Sequence, residues 1–164
     1  MKKILFLAAL ALLASCQKND DDTSQDEDRK EQNKALQNEL TSNKDGWKLT
    51  YIAEDGSTGG YQFLMKFGDD GTVTMTSDIS STTTPTATSY STQEKNGALV
   101  LSFIGQNYLH QLADAIKGNA ANGLSGKVYQ FQYAGKEGNN LKFLNLLKSS
   151  KPTLVFEPAT ANDW

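Results

Sequence analysis

Apolar and polar side chains alternate with a period of two from Gly46 onward, which is typical of β-strands that bury one face. The pattern recurs in seven or eight short runs, and the clearest cover residues 47–51, 61–67, 99–103 and 129–133. Turn-forming pairs separate the runs: Gly59-Gly60, Asp70-Gly71, Asn96-Gly97 and Gly138-Asn139. Such short spacing favours neighbouring strands that pair in antiparallel fashion. The sequence therefore predicts a mainly β domain, an antiparallel meander forming a barrel or a sandwich.

Two segments break this alternation with helical spacing. Residues 28–43 are rich in helix formers and place Leu36 and Leu40 four positions apart on one face, which predicts a short N-terminal helix. Residues 106–117 carry Leu109, Leu112 and Ile116 at helical intervals. They predict one helix inserted between two strands.

The N-terminus has the pattern of an export signal. Two lysines precede an apolar run that is too short for a membrane span, which needs roughly 20 apolar residues. The run ends in Leu13-Ala14-Ser15-Cys16, which resembles the bacterial lipobox. That resemblance implies a signal peptide over residues 1–15, cleavage before Cys16, and lipidation of Cys16 with acyl chains such as palmitate. Two or more acyl chains suffice for stable membrane anchoring.

The segment after Cys16 is strongly polar. Residues 17–31 hold seven acidic and three basic residues and no aliphatic or aromatic side chain. This composition predicts a disordered acidic tether over residues 16–33, followed by a single domain over residues 34–164. The run from Lys18 to Asp22 resembles the surface-export signal of Bacteroidota lipoproteins. The resemblance implies an outer-membrane location with the domain facing the cell exterior.

The composition excludes several classes of function. One cysteine and one histidine cannot form a disulfide framework or a His-pair or CxxC zinc site, and no cofactor motif is present. The formal net charge is −3, and most of the acidity lies in the tether, so there is no basic footprint for nucleic acid. His110 has no nucleophile motif beside it. No catalytic residues and no enzyme activity are predicted.

Aromatic residues remain as candidates for a binding site. Most occupy the buried phase of the predicted strands, so core packing is their default role. Five carry a polar group and are predicted to contact a ligand at a barrel mouth or flat surface: Trp47, Tyr51, Tyr61, Tyr90 and Tyr108.

A series of short motifs resembles an uncharacterised Bacteroidota lipoprotein family, the domain of unknown function 4302. They lie between residues 45 and 131 and include Asp45-Gly46-Trp47, Gly59-Gly60-Tyr61 and Leu99-Val100-Leu101-Ser102-Phe103. Relatives in that family are typically longer, which implies a short or truncated member. A weaker likeness to lipocalin-like barrels rests on Gly46-Trp47 and on the hairpin from Phe67 to Val73.

These observations lead to one expected function and two alternatives. We expect a non-enzymatic, lipid-anchored surface protein that binds a glycan, a peptide or a small apolar ligand, as an accessory to an outer-membrane uptake complex. The alternative is a structural or protein-interaction domain of the cell envelope. A hydrolase has the least support, because spacing along the sequence does not show two carboxylates that face each other across a cleft.

Overall fold

The computed structural model describes residues 21–51, 60–79, 81, 83–113, 130–146 and 153–164. The elements are α1 Asp21–Thr41, β1 Trp47–Tyr51, β2 Tyr61–Phe67, β3 Thr72–Ser77, β4 Thr86–Lys95, β5 Ala98–Ile104, α2 Tyr108–Ala113, β6 Gln130–Glu137, β7 Asn140–Asn145 and β8 Thr153–Pro158. A short 3₁₀ helix, Ala161–Asp163, follows β8.

The eight strands form one closed antiparallel barrel in chain order, with β8 paired to β1. Each strand is therefore hydrogen-bonded to the strands before and after it, and closure leaves no free sheet edge. The prediction of an antiparallel β-domain is confirmed, and of its two architectures the barrel is the one adopted. The pair Leu49 and Phe156 joins the first strand to the last.

Aromatic side chains fill the barrel interior. The ring of Phe131 lies 5.8 Å from that of Phe103 and 6.3 Å from that of Phe156, and both contacts are edge-on. The ring of Phe143 also packs against that of Phe156, with 4.6 Å between the ring centroids. All four rings are buried. The alternation read from the sequence has thus placed these residues in a continuous core, as strand geometry requires.

The two ends of the barrel differ in their connections. Tight turns at residues 68–71, 96–97 and 138–139 lie at one end, here called the lower end. At the opposite, upper end, longer stretches of sequence separate consecutive strands: residues 52–60, 78–85, 105–129 and 146–152. Loop length is therefore segregated to one end of the fold, where connections most often carry function.

Helix α1 closes the lower end. Leu36 and Leu40 are buried in the barrel core, and Trp47 Nε1 donates a hydrogen bond of 2.7 Å to the carbonyl oxygen of Leu40. Ion pairs hold the helix to two hairpins, Arg29 to Glu94 at 3.1 Å and Lys136 to Glu39 at 2.7 Å. The predicted packing face of this helix is confirmed.

The start of α1 corrects the sequence prediction. A helix was expected over residues 28–43 and a disordered tether over 16–33, but the helix begins at Asp21. Arg29 pairs with Asp26 one turn away at 3.4 Å, which supports the helix in this segment. The structure describes residues 21–33 as helical, residues 16–20 lie outside the described residues, and the boundary between tether and domain stays a prediction.

Helix α2 packs at the upper end. Asn107 Oδ1 accepts a hydrogen bond of 3.0 Å from the backbone N–H of Leu109, which satisfies a free donor of the first turn. Leu109 and Leu112 are buried in the core. The described helix covers Tyr108–Ala113, and residues 114–117 of the predicted helix lie outside the described residues.

Candidate functional site

A groove of about 560 Å³ lies on the outside of the barrel. It lies over β4, β5 and the start of β6, beside α2, and is called the flank groove here. Its lining includes Ser91, Gln93, Ser102, Ile104, His110 and Gln130.

Strand alternation explains why these side chains point outward. In β4, Tyr90 is buried in the core, so Ser91 and Gln93 belong to the opposite, outer face. The register then places Ser91 opposite Ser102, and Ser102 opposite Gln130. Gln130 Nε2 donates a hydrogen bond of 3.4 Å to Ser102 Oγ. A row of hydroxyl and amide groups therefore crosses three strands on the groove floor.

His110 lines the groove from α2. Its Nδ1 lies 2.9 Å from Asn107 Oδ1, the same oxygen that accepts the backbone N–H of Leu109. Because an amide oxygen only accepts, Nδ1 carries the proton and donates it to Asn107. Burial lowers the pKa of His110 below its ordinary value, which favours the neutral ring.

The groove lining is uncharged when His110 is neutral. Its described residues contribute hydroxyl, amide and imidazole groups, and Ile104 adds an apolar side chain that is 53% exposed. Burying an unpaired charge against such a surface is costly, whereas hydroxyl and amide groups of a ligand would find partners. The chemistry of the groove thus suits a neutral ligand with many hydrogen-bonding groups.

The burial of His110 predicts that the free energy of unfolding depends on pH. The unfolded chain binds a proton at the ordinary histidine pKa of about 6.5, and the folded protein binds it only at a lower pH. The free energy of unfolding should therefore fall as pH drops from about 6.5 towards the lowered pKa. His110→Gln should flatten this slope in urea titrations at a series of pH values.

The pH window for this test is separate from that of the two described carboxylates whose pKa values are lowered. His110 is the single histidine of the sequence. Hydrogen bonds from Thr72 lower the pKa of Asp70, and hydrogen bonds from Thr160 lower that of Asp163. Their stabilisation is present above the ordinary carboxylate pKa of about 4 and is lost only at more acidic pH. An unchanged slope near pH 6 in His110→Gln would contradict the burial of this ring.

The five aromatic candidates of the sequence lie elsewhere. Trp47, Tyr51 and Tyr90 are buried core residues. The Tyr90 hydroxyl donates a hydrogen bond of 2.8 Å to the carbonyl oxygen of Gly68. Tyr108 is buried on α2 and donates to the carbonyl oxygen of Thr84 at 2.5 Å. Tyr61 is partly buried against the core. The five do not appear among the described groove residues, and their ligand role stays a prediction.

Sequence reasoning selected none of the groove residues, and it considered His110 only as a catalytic base. The alternation placed Ser102 and Gln130 on the outward face of their predicted strands, whereas Ser91 and Gln93 were not assigned to a predicted strand. The missing information was the register between strands far apart in sequence, which brings Ser102 and Gln130 together. A search for runs of uncharged hydroxyl and amide residues in the outward phase would have found them.

Other candidate chemistry is limited in the described segments. Asp70 Oδ1 accepts hydrogen bonds from the backbone N–H of Thr72 at 3.0 Å and from its hydroxyl at 2.6 Å, so this carboxylate forms the β2–β3 turn. No cluster of three or more potential metal ligands occurs among the described residues. Cys16 and the pair Glu54-Asp55 lie outside the described residues.

The fold defines a class of protein: a closed eight-stranded antiparallel barrel with a helix across one end and an external groove. The sequence matches the family described as Domain of unknown function (DUF4302) over residues 22–164. The chain belongs to this family. Comparison with curated proteins found no match, and comparison with solved structures found none either.

Proposed function

We propose that this protein is a non-enzymatic, lipid-anchored binding module on the cell surface, and that its ligand is a neutral glycan. The flank groove carries the proposal, because its described lining combines hydroxyl, amide and apolar groups without a charge. Such a lining offers donors and acceptors to the hydroxyl groups of a sugar and an apolar contact to its ring.

The state of the barrel interior supports an external site. Phe131, Phe143 and Phe156 lie in ring-to-ring contact there, so the described interior is occupied by the protein's own side chains. Among the ligand classes expected from the sequence, a small apolar molecule held inside the barrel has the least support. A glycan bound outside leaves this core intact.

A lipid on Cys16 would orient the barrel relative to a membrane. Cys16 precedes the first residue of α1 by a few positions, and α1 lies across the lower end of the barrel. A lipid on Cys16 would attach the protein at the helix side, so the upper end would face away from the bilayer. No helix in the described part of the chain is long and apolar enough to cross a membrane.

Substitution of Cys16 tests the anchor. Cys16→Ala should move the protein from the membrane fraction to the soluble fraction and abolish incorporation of labelled palmitate, because the acyl chains supply the membrane affinity. Gln17→Ala is the matched control and should stay in the membrane fraction. Full retention of Cys16→Ala after a carbonate wash would contradict the anchor. Protease shaving of intact cells tests the outward orientation, which predicts cleavage of the domain.

Substitution of Ser91 tests the groove. A panel of immobilised neutral glycans is first used to find a bound sugar, and its affinity is then measured by calorimetry. Ser91→Arg places a long charged side chain in the groove and should weaken binding at least tenfold, or about 1.4 kcal/mol. Thr50→Arg is the control, because Thr50 is exposed on the outer face of β1. Equal affinities of both variants would refute the flank groove as the site.

A protein-interaction domain is the second candidate, and one residue favours it. Ile104 is 53% exposed and lines the flank groove rather than an open surface, so an apolar side chain of a partner could cover it there. Ile104→Ser distinguishes the two functions. It should leave sugar hydrogen bonds largely in place but should disrupt a protein interface that depends on an apolar centre.

A further inference from the structure

The described part of helix α2 is too short to be stable by itself. It covers six residues, Tyr108–Ala113, and an isolated helix of that length does not persist in water. Its position on the barrel therefore depends on tertiary contacts. Because successive residues of a helix are about 100° apart around its axis, the contacts of α2 fall on three different sides.

One side of α2 faces the barrel core and another lines the flank groove. Leu109 and Leu112 are buried in the core. His110 lines the groove together with Gly105 and Gln106, which connect β5 to α2. The placement of α2 therefore decides where the His110 ring lies in the groove.

The third side of α2 is fastened by Tyr108 to the connection between β3 and β4. The Tyr108 hydroxyl donates a hydrogen bond of 2.5 Å to the carbonyl oxygen of Thr84 and accepts one of 2.9 Å from the backbone N–H of Thr84. These two hydrogen bonds are called the Tyr108 latch here. Tyr108 precedes His110 by two positions, or about 200° around the helix axis, so the latch lies nearly opposite the groove.

Asn107 fixes the His110 ring relative to α2. Asn107 is 1% exposed, and its Oδ1 accepts hydrogen bonds from the backbone N–H groups of Leu109 at 3.0 Å and His110 at 3.2 Å. The same oxygen lies 2.9 Å from His110 Nδ1. Because this oxygen is bound to the first turn, the ring and the helix move together. The latch and the two leucines then fix the helix relative to the barrel.

We propose that Tyr108 is a positioning residue of the flank groove, which holds α2 through Thr84 so that the His110 ring forms one wall of the ligand site. The inference rests on the proposed function and adds a residue that controls affinity from outside the groove. The hydroxyl is the group that acts. Phenylalanine at this position would keep the buried ring but lose both hydrogen bonds, and α2 would then rotate more freely on its buried leucines.

Tyr108→Phe tests the latch without a ligand. His110 is the single histidine of the sequence, so its ring protons give one assignable set of NMR signals in the full chain. Burial lowers the pKa of His110. A looser α2 should expose the ring, so its signals should shift and its pKa should rise towards the ordinary value of about 6.5. No charged side chain occurs among the described lining residues, so a change in pKa indicates a change in burial.

Thr41→Val is the matched control. The Thr41 hydroxyl also donates to a backbone carbonyl, that of Gln37 at 3.1 Å, but it lies in the last turn of α1 at the lower end of the barrel. This substitution should leave the His110 signals and pKa unchanged. Circular dichroism and thermal unfolding confirm that both variants are folded. An unchanged His110 spectrum and pKa in folded Tyr108→Phe would overturn the proposal.

Calorimetric titration with gluco-, manno- and xylo-hexasaccharides then measures the effect on the groove. For a hexasaccharide that the wild type binds, Tyr108→Phe should bind about three- to tenfold more weakly, the range expected for the loss of about one hydrogen bond. Thr41→Val should bind like the wild type. If Tyr108→Phe shifts the His110 signals but binds as tightly as the wild type, affinity does not depend on the placement of the ring, and the positioning role is refuted.

Failure of the proposed function gives a different result. If the wild type binds none of the hexasaccharides while the His110 signals respond to Tyr108→Phe, the glycan function fails and the hold of Tyr108 on His110 stands. If a hexasaccharide binds and the His110 signals do not respond, the glycan function stands and the positioning role fails.

Discussion

Phe131→Ala is expected to lower the free energy of unfolding by about 3–5 kcal/mol. Phe131 is fully buried and lies between Phe103 and Phe156, with ring centroids at 5.8 Å and 6.3 Å. Truncation would remove contacts on two sides, and the closed barrel around it cannot collapse easily to fill the space. Urea denaturation monitored by tryptophan fluorescence, with wild type and variant compared at equal pH, measures the difference.

The neighbouring residue provides the control for this substitution. Gln132 lies on the same strand and pairs with Val100 and Leu144, but it belongs to the outward phase. Gln132→Ala should change the free energy of unfolding by only about 0.5 kcal/mol, as is usual for surface positions. Similar costs for the two variants would mean that the interior is not packed around Phe131 as described.

Gly46→Ala is the second substitution with a large expected effect, about 3 kcal/mol of destabilisation. Gly46 has a φ of +79°, and a Cβ atom there would lie 2.3 Å from the carbonyl oxygen of Met65. The obstacle is backbone, so it cannot rotate away as a side chain would. The Gly46 carbonyl also accepts the backbone N–H of Ala159 at 2.9 Å, which ties the chain end to the start of β1.

Gly97 separates the two causes of this effect. Its φ of +78° nearly equals that of Gly46, but an added Cβ would meet no heavy atom within 4 Å. Gly97→Ala should therefore cost only the left-handed backbone strain, about 1–2 kcal/mol. The difference in unfolding free energy between the two variants measures the close approach of Gly46 to β2. Equal costs would contradict that close approach.

Gly46 and Phe131 stabilise the barrel and do not line the flank groove. Gly46 packs against the backbone of Met65 where the chain enters β1, and the aromatic side chains fill the barrel interior. The flank groove uses only the outer face of the same strands. A ligand site built on paired strands is held more rigidly than one on loops. Groove variants should therefore change affinity with little effect on stability.

Local patterns predicted much of the fold. The alternation in β2 and β5 placed Phe63, Met65, Leu101 and Phe103 in the core. Asn96-Gly97 predicted a hairpin turn, and both residues have the positive φ values, 52° and 78°, that a type I′ turn requires. These predictions succeed because strand phase and turn geometry depend on neighbouring residues and on whether one face is buried.

The start of α1 was not predicted correctly from composition, and the structure gives the polar groups of two aromatic candidates partners within the protein. Residues 21–33 are polar enough to suggest disorder, yet the helix continues through them and Arg29 meets Glu94 on a distant hairpin. The aromatic candidates were chosen for their chemistry, but Trp47 and Tyr90 donate their polar hydrogens to backbone carbonyls. Tertiary packing supplied partners that spacing along the chain could not show.

The sequence by itself determined the strand phase, the turns and the packing face of α1, since each depends on residues a few positions apart. It also identified the family to which the chain belongs, as the match over residues 22–164 shows. Only the tertiary structure decided that β8 meets β1 and that Ser91, Ser102 and Gln130 form one row. Those contacts depend on register between strands distant in sequence, which barrel closure fixes because a slip of one residue would turn the core outward.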